Sequence, residues 1–371
     1  MKVLVNALRP LRGGIAVYLE QMIAGFAARD DLEVHVACGR GVAEGQPSGV
    51  TCHAREVRPA PLGFFRERAT LARLCGELRP DVLFTPIPLA PGRVPCPTVT
   101  TVHDLNFKFI PIGRLRTCYR KLSFASMARR SAALVAISEH TREVLNAAYP
   151  ATRSKTSVVW NGFRAPDALP AIEALAPDHG DALAPDDTDD DRAPFLLGFA
   201  HWPHKNPAAA VRVLAELGAE LPRLRLRVVG VGDEDGRRLT RLATELGVAD
   251  RLDLSGLVGE AELEGLYART LALIFLSEYE GFGLPVFEAM AMGRPVVASD
   301  RGALPEVVGG HAAVVPVDGW RAASDHVRRH LRDPAWSIRV RCAARDYVAQ
   351  WTWKRAVEGT VAVMRSALNT P

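Results

Sequence analysis

The chain has 371 residues, of which 48 % are hydrophobic and 24 % charged, and its formal net charge is +4 at pH 7. This length exceeds that of one hydrophobic core and predicts two domains of ordinary globular composition. The apolar runs are strand-sized, which excludes a membrane-spanning helix of roughly 20 apolar residues, and the start Met1–Asn6 lacks a secretory h-region, so we expect a cytoplasmic protein.

The charge is distributed unevenly along the chain. Residues 1–164 carry a net charge of +11, residues 165–193 carry −8 and residues 194–371 carry +1. A basic first half favours a phosphate-bearing ligand, an anionic lipid surface or nucleic acid. Nucleic acid is not expected, because this half lacks an aromatic stacking platform and a recognised nucleic-acid-binding motif.

Short apolar strands alternate with helical periods through the first half. The predicted strands are Val3–Asn6, Glu33–Ala37, Val82–Thr85, Thr98–Val102, Ala133–Ile137 and Thr156–Trp160. This alternation is typical of a doubly wound parallel sheet, in which ligands collect at the carboxyl ends of the strands.

Glycines follow the first predicted strand. Gly13 and Gly14 lie between that strand and a helical pattern, so their amides could face a phosphate group. A plain tight turn explains the pair equally well. Of the two residues, Gly14 is the stronger candidate for ligand contact.

Polar side chains follow two later strands of this half. His103 and Asp104 come at the end of the strand from Thr98, where an imidazole can donate to a hydroxyl or move a proton because its ordinary pKa is near neutrality. Ser138 and Thr141 follow the next strand and fit a helix N-cap, so capping alone accounts for them, although a binding role stays open.

The stretch Arg114–Arg130 interleaves basic and apolar side chains, and we predict an amphipathic basic helix there. Such a helix can lie on an anionic bilayer surface, but more often it forms an ordinary solvated face over a core.

The segment 164–193 is rich in Ala, Pro and Asp, and its lack of apolar periodicity predicts an exposed linker. Asp189 and Asp191 imitate a DxD metal motif, but that motif belongs at a strand end, so no metal site is expected. The six cysteines are scattered without a CxxC pair, and we expect reduced thiols.

The alternation of strands and helices resumes after this linker. The predicted strands are Phe195–Gly198, Arg225–Val229, Leu252–Ser255, Leu273–Leu276, Pro295–Ala298 and Ala313–Val315. The sequence therefore predicts two Rossmann-like doubly wound domains, at residues 1–163 and 194–346, facing each other across a cleft. A helical period from Tyr347 to Leu368 predicts a C-terminal helix within residues 347–371.

The most informative segment is Glu280–Glu288, in which two carboxylates lie eight positions apart around a glycine loop. Gly281 and Gly283 follow a buried strand, and Pro285 is suited to the first helical position because it lacks an N–H that would be unpaired there. The unpaired amides of a helix start attract an anion such as a diphosphate. One carboxylate can then face a sugar while the other binds ribose hydroxyls.

This segment resembles the E-x7-E signature of the retaining glycosyltransferases of family 4, which have the two-domain GT-B fold. Gly-Gly-Ile at 13–15, His-Asp-Leu at 103–105 and Gly-x-x-Pro-Glu at 302–306 also match the family, and the resemblance covers nearly the whole chain outside the linker. The chain departs from the family at His204 and Phe199, where arginine is common, which removes up to two permanent positive charges from the phosphate site. In the family the C-terminal helix often crosses back onto the first domain; a place in the C-terminal core is the alternative.

The resemblance also implies roles for individual residues. Glu280 positions the sugar hydroxyls, Lys205 neutralises the departing diphosphate, and His103 contacts the donor sugar. The residues implied in donor binding are Gly13, Gly14, His204, Leu257, Val258, Gly281, Phe282, Gly283, Leu284 and Glu288. Asp104, Ser138 and Thr141 are candidates for the acceptor side.

The implied activity is transfer of a sugar, such as mannose or a related hexose, from a nucleoside-diphosphate sugar to a hydroxyl of a glycan or polyprenyl-linked acceptor in bacterial surface polysaccharide or lipopolysaccharide synthesis. No cofactor and no metal are expected, and peripheral contact with the anionic inner membrane stays open. The alternatives are a nucleotide-sugar 2-epimerase on a similar fold and a non-catalytic sugar-nucleotide binder. An NAD-dependent oxidoreductase is disfavoured because no GxGxxG follows the first strand.

Overall fold

The computed structural model describes residues 1–11, 13–39, 47–55, 63–163 and 193–369. These residues form two compact units, one within Met1–Gly162 and Trp351–Pro371 and the other within Phe163–Gln350. The predicted linker at 164–193, with Asp189 and Asp191, lies outside the described residues except for Ala193.

The first unit is built on a seven-stranded parallel sheet in the order β3-β2-β1-β4-β5-β6-β7. Its strands are β1 Lys2–Ala7, β2 Glu33–Cys38, β3 Val50–Ala54, β4 Val82–Thr85, β5 Thr98–Val102, β6 Ala133–Ala136 and β7 Thr156–Val158. Its first four helices are α1 Gly14–Ala27, α2 Gly63–Leu78, α3 Arg114–Arg130 and α4 Glu139–Ala148.

The second unit is built on a six-stranded parallel sheet in the order β10-β9-β8-β11-β12-β13. Its strands are β8 Phe195–Phe199, β9 Arg225–Val229, β10 Leu252–Ser255, β11 Ala272–Phe275, β12 Val296–Ser299 and β13 Ala313–Val315. Its helices are α5 Pro207–Leu217, α6 Asp233–Glu245, α7 Glu260–Arg269, α8 Leu284–Ala291, α9 Leu304–Val308, α10 Trp320–Arg332 and α11 Pro334–Ala349.

All predicted strands are present, with ends shifted by at most two residues, but the sequence reading missed β3. This strand pairs on one side only, with β2. Thr51 and His53 alternate with apolar residues along this partly exposed strand. It therefore lacks the continuous apolar run that identifies a strand buried on both faces.

The single helical period predicted from Tyr347 to Leu368 is wrong, because the chain forms two helices there. The helix α11 ends at Ala349, and α12 spans Trp353–Leu368. Thr352 caps α12 by accepting a hydrogen bond from the N–H of Arg355 at 3.2 Å. The helix α12 packs its apolar face into the core of the first unit, against α1 and the central strands.

The strand order reverses once in each sheet, which defines where a ligand fits. In the first unit β1 lies between β2 and β4, and in the second β8 lies between β9 and β11. Such a reversal sends neighbouring connections to opposite faces and opens a crevice at the carboxyl ends of the two central strands. Each unit therefore has one expected ligand crevice, at β1/β4 and at β8/β11.

Among the described residues, no helix combines the length and the apolar character needed to cross a membrane. No disulfide joins any of the six cysteines, all of which lie in the described part of the chain.

Candidate active site

An ion pair lies beyond the carboxyl ends of β8 and β11, where the ligand crevice of the second unit is expected. Lys205 lies in the short turn after β8 and Glu280 lies after β11; Lys205 Nζ is 2.6 Å from Glu280 Oε1. Only 13 % of the lysine side chain and 10 % of the glutamate side chain are exposed. The ammonium also lies 4.8 Å from the centre of the Phe275 ring. The structure therefore brings together, across 75 residues of sequence, two residues predicted to act on the same donor.

The main chain of Glu280 is supported by Gly302, which belongs to the Gly-x-x-Pro-Glu match but for which the sequence predicts no contact with Glu280. Gly302 has a φ of +61°, and a Cβ on it would lie 2.3 Å from the carbonyl oxygen of Glu280 and 2.6 Å from its nitrogen. Next to it, the N–H of Ala303 donates to the same carbonyl at 2.9 Å. Glycine is therefore required at this position both by the backbone conformation and by the close approach.

The glycine loop after Glu280 leads directly into α8. Gly283 has a φ of 98° and precedes the helix, which begins at Leu284. The prediction that Pro285 is the first helical residue is therefore wrong by one position, because the left-handed glycine turns the chain one residue earlier. A Cβ on Gly283 would lie 2.6 Å from Leu304 Cδ2. No acidic side chain occupies the first turn of α8, so the amides there can attract an anion.

Glu288 projects from α8 and is held by a partner that the sequence did not reveal. The hydroxyl of Tyr267 on α7 donates to Glu288 Oε2 at 2.6 Å. Burial raises the pKa of Glu288, and the hydrogen bond from Tyr267 opposes that rise. One carboxylate oxygen is thus held in place at the helix that the sequence assigned to ribose binding.

The two family arginine positions have different environments. The partly buried ring of Phe199 packs against those of Phe275 and Tyr267, with ring centres 6.2 Å apart in each case, so this position makes apolar contacts and carries no charge. Burial lowers the pKa of His204, which disfavours a charged imidazole at neutral pH. Lys205 is therefore the permanent cation of this crevice among these three residues.

Asn206 holds the loop that carries Lys205. It adopts a left-handed conformation, and its side-chain amide donates to the carbonyls of Leu276 at 3.0 Å and Val317 at 3.1 Å. The carbonyl of His204 accepts from the N–H of Glu278 at 2.7 Å. These bonds tie the ends of β8 and β11 to each other.

The predicted base-reading residues follow β10. Leu257 is exposed and Val258 is half-buried, and the preceding residue, Gly256, accepts a backbone hydrogen bond from Gly230 at 3.0 Å. Their role in reading a base stays a prediction.

His103 in the first unit differs from its predicted chemistry. It is buried beside Tyr18, with ring centres 4.8 Å apart, and its Nε2–H donates to the carbonyl of Pro86 at 2.8 Å. Burial lowers the pKa of His103 to about 4. The expectation of a pKa near neutrality is therefore wrong, because desolvation disfavours the imidazolium. The neutral ring keeps Nδ1 as an acceptor.

The other polar candidates of this unit are engaged in local structure. Ser138 caps α4 by accepting from the N–H of Thr141 at 3.0 Å, and Thr141 Oγ1 donates to the carbonyl of His103 at 3.4 Å. Both hydroxyl residues are fully buried. Asp104 Oδ1 accepts from the N–H of Asn106 at 3.0 Å. These bonds hold the end of β5, and a contact with an acceptor stays a prediction.

Gly13 and Gly14 lie at the start of α1 and are both exposed. Gly13 has a φ of +60° with open space around its Cβ position, whereas Gly14 is the first helical residue. The conformational need for glycine therefore falls on Gly13, and the expectation that Gly14 contacts the ligand stays a prediction. In the described part of the chain, no group of three or more His, Cys, Asp or Glu side chains could hold a metal ion.

Two family profiles match the chain, one in each half. The family described as Glycosyltransferase Family 4 matches residues 12–165, and the family described as glycosyl transferases group 1 matches residues 198–347. The chain belongs to the family 4 glycosyltransferases. The motif resemblance and the two parallel α/β units agree with this assignment.

Curated relatives match parts of the chain. O-antigen chain mannosyltransferase B of Escherichia coli is 36 % identical over 106 residues, which cover 29 % of this chain and 28 % of that protein. D-inositol 3-phosphate glycosyltransferase of Streptomyces avermitilis is 30 % identical over 250 residues, which cover 63 % of this chain and 52 % of that protein. The matched regions thus span about half or less of these relatives' lengths.

Solved structures match nearly the whole chain in fold. Anabaena HepE in complex with UDP and glucose superposes with a TM-score of 0.75 at 17 % identity, covering 99 % of this chain and all of that one. WaaG, a glycosyltransferase involved in lipopolysaccharide biosynthesis, superposes with a TM-score of 0.72 at 17 % identity, covering 98 % and 99 %. The chain therefore has the GT-B fold.

Proposed function

We propose that the protein is a retaining, metal-independent glycosyltransferase that uses a nucleoside-diphosphate sugar. The observation that carries this proposal is the Lys205–Glu280 ion pair at the carboxyl ends of β8 and β11, next to the anion-attracting start of α8. The cation and the helix start suit the diphosphate and the negative charge that develops on it as it leaves. The carboxylate suits the sugar hydroxyls.

Donor binding uses the ion pair in two ways. The diphosphate carries more negative charge than the Glu280 carboxylate and competes for Lys205, which leaves Glu280 to accept hydrogen bonds from sugar hydroxyls. The free oxygen of Glu288 binds the ribose, while Tyr267 holds the other oxygen.

Transfer then proceeds on one face of the sugar. The acceptor oxygen forms a bond to the anomeric carbon, the bond from that carbon to the diphosphate breaks, and the departing phosphate oxygen takes the acceptor's proton. Lys205 and the amides at the start of α8 stabilise the negative charge on the leaving group. The low pKa of His103 keeps its ring neutral and makes it a weak base. The neutral ring binds a sugar hydroxyl by accepting a hydrogen bond at Nδ1.

The acceptor is a hydroxyl of a glycan or a polyprenyl-linked glycan of a bacterial surface polysaccharide or lipopolysaccharide, and the donor sugar is mannose or a related hexose. The names of the relatives support this class: one is an O-antigen chain mannosyltransferase, and a structural neighbour is involved in lipopolysaccharide biosynthesis.

The test begins with the donor. A thermal-shift panel of GDP, UDP, dTDP and ADP identifies the base, because a ligand that binds the folded state raises the melting temperature. Transfer from the matching nucleotide sugar is then measured with and without EDTA, and the anomeric configuration of the product is read by NMR. Inversion, or a requirement for a divalent ion, contradicts the proposal.

Glu280→Gln should abolish transfer and leave binding of the nucleoside diphosphate largely intact. Asp253→Asn is a matched control, because Asp253 Oδ1 forms an ion pair of equal length, 2.6 Å, with Arg225 in the same unit. Incubating the donor without acceptor distinguishes the transferase from the nucleotide-sugar 2-epimerase, because rapid epimerisation of the donor would exclude the transferase.

We also propose that the protein works at the cytoplasmic face of the inner membrane, which it contacts through α3. Leu115 is 89 % exposed and Leu122 is 66 % exposed, and together with exposed Tyr119 they form one helical stripe. No acidic residue occurs between Asp104 and Glu139, a stretch with seven Lys and Arg residues. An apolar stripe flanked by cations alone is complementary to an anionic bilayer.

Co-sedimentation with phosphatidylglycerol vesicles tests this contact. The variant Leu115→Glu/Leu122→Glu should lose binding, whereas Leu246→Glu, at an exposed leucine of the second unit, should retain it. Equal binding of all three proteins, or equal binding to phosphatidylcholine vesicles, contradicts the membrane proposal.

A further inference from the structure

An ion pair of the first unit lies just after the carboxyl end of β1, where the ligand crevice of this unit is expected. Glu67 on α2 is fully buried, with none of its side chain exposed, and it pairs with Arg9, which follows the end of β1. Glu67 Oε1 also accepts a hydrogen bond from Asn6 Nδ2 at 3.0 Å. No motif in the sequence predicts a role for any of these three residues.

A buried carboxylate is costly unless it is paired, so its position is informative. Burial raises the pKa of Glu67, and the neighbouring Arg9 charge and the Asn6 amide oppose that rise. Asn6 is itself fixed, because its Oδ1 accepts from the N–H of Leu8 at 3.2 Å. The network therefore holds the Arg9 side chain at the carboxyl end of β1, a few residues before Gly13.

The two side chains of this pair differ in exposure, whereas those of the Lys205–Glu280 pair do not. Arg9 keeps 34 % of its side chain exposed, whereas Glu67 keeps none. In the second unit, Lys205 and Glu280 are buried to similar extents. A ligand in the first crevice can therefore reach the cation and not the carboxylate, and the crevice presents positive charge.

We propose that Arg9, positioned by Glu67 and Asn6, binds a phosphoryl group in the crevice at the carboxyl ends of β1 and β4. A planar guanidinium has several N–H donors in a fixed plane and binds phosphate in a bidentate manner. The assignment of this phosphoryl group to the acceptor, rather than to the donor, rests on the proposed function. It makes a phosphorylated acceptor, or one with its phosphate close to the reacting hydroxyl, the preferred substrate class.

Direct binding tests the site without enzyme activity. Inorganic phosphate is titrated calorimetrically into the full-length chain saturated with the nucleoside diphosphate that stabilises it most, so that the donor site is already filled. Arg9→Gln alone would leave a buried, unpaired carboxylate and could unfold the unit. The test variant is therefore Arg9→Gln/Glu67→Gln, which removes both charges and keeps two amides of similar size, with Arg9→Lys as a second variant.

Arg29→Gln is the matched control. Arg29 belongs to the same unit, keeps 28 % of its side chain exposed and pairs with Asp31, but it follows the carboxyl end of α1. We expect the double variant to weaken phosphate binding roughly ten-fold or more, since a charge-assisted bidentate contact is lost. Arg9→Lys should weaken it less, and Arg29→Gln should not change it. No saturable binding to the wild type, or equal binding by the double variant, overturns the proposal.

Kinetics assign the phosphate to its substrate. If transfer occurs, Arg9→Lys should raise KM for a phosphorylated acceptor and leave kcat and the donor KM unchanged; a rise in the donor KM instead would overturn the assignment to the acceptor. If no transfer occurs with any donor, the proposed function fails, while the calorimetric result still decides whether Arg9 binds phosphate.

Discussion

Replacing Gly302 by alanine perturbs Glu280 through its main chain without touching its side chain. An alanine Cβ at 302 would lie 2.3 Å from the Glu280 carbonyl oxygen, a contact that only backbone movement can relieve. Movement here breaks the Ala303 to Glu280 hydrogen bond and displaces the carboxylate from Lys205. Both stability and donor binding should therefore fall.

Gly310 in the same unit provides the comparison, because its φ is +79° and nothing lies within 4 Å of its Cβ position. The left-handed backbone costs an L-residue about 1–2 kcal/mol, and alanine regains about 0.4–1 kcal/mol by restricting the unfolded chain. Gly310→Ala should thus lose about 1 kcal/mol. Gly302→Ala adds an overpacking cost of about 1–3 kcal/mol and should lose about 2–4 kcal/mol in all.

Urea unfolding of both variants, with the KM for the nucleotide-sugar donor measured in parallel, tests this expectation. Gly302→Ala should lose more stability than Gly310→Ala, and it alone should raise the KM for the nucleotide sugar, because Glu280 is proposed to contact the sugar. Equal losses of stability, or an unchanged KM for the nucleotide sugar in Gly302→Ala, would refute the reasoning that Gly302 supports Glu280.

Tyr267→Phe removes the hydroxyl that donates a hydrogen bond to Glu288 and should weaken binding of the nucleotide sugar by about 1–3 kcal/mol. An unchanged KM for the nucleotide sugar would contradict the role of Tyr267. The His103 pKa is lowered to about 4, so the unfolded chain binds the extra proton first and stability should fall as pH drops from about 6.5 to 4, by on the order of 3 kcal/mol for this group. His103→Gln should reduce this dependence of the free energy of unfolding on pH, as measured by urea unfolding. An unchanged dependence would refute the lowered pKa of His103. Gly283→Ala forces a left-handed alanine against Leu304 and should impair donor binding more than Glu288→Gln does, as measured by thermal shift.

The departure from the family's arginines affects how this donor site works. With an apolar ring at Phe199 and the His204 pKa lowered, the proposed mechanism leaves Lys205 and the start of α8 to stabilise the leaving group. Lys205 is held by Glu280 before a donor arrives. In the proposed mechanism, the same carboxylate keeps the lysine ordered and becomes available to the sugar when the diphosphate binds the lysine.

The amino-acid sequence by itself determined the strands, their alternation with helices and the family, because apolar periodicity and glycine motifs are local properties of the chain. It also placed Lys205 and Glu280 at strand ends. The sequence did not predict strand β3, because an edge strand needs no continuous apolar run.

The tertiary structure alone decided how these residues work together. Gly302 touches Glu280, Tyr267 holds Glu288, and Glu67 holds Arg9 only because the fold brings distant segments into contact. The low pKa of His103 has the same origin, because it depends on how much water the packed unit removes from the ring. Desolvation and long-range contact are properties of the packed chain, and no local pattern of residues encodes them.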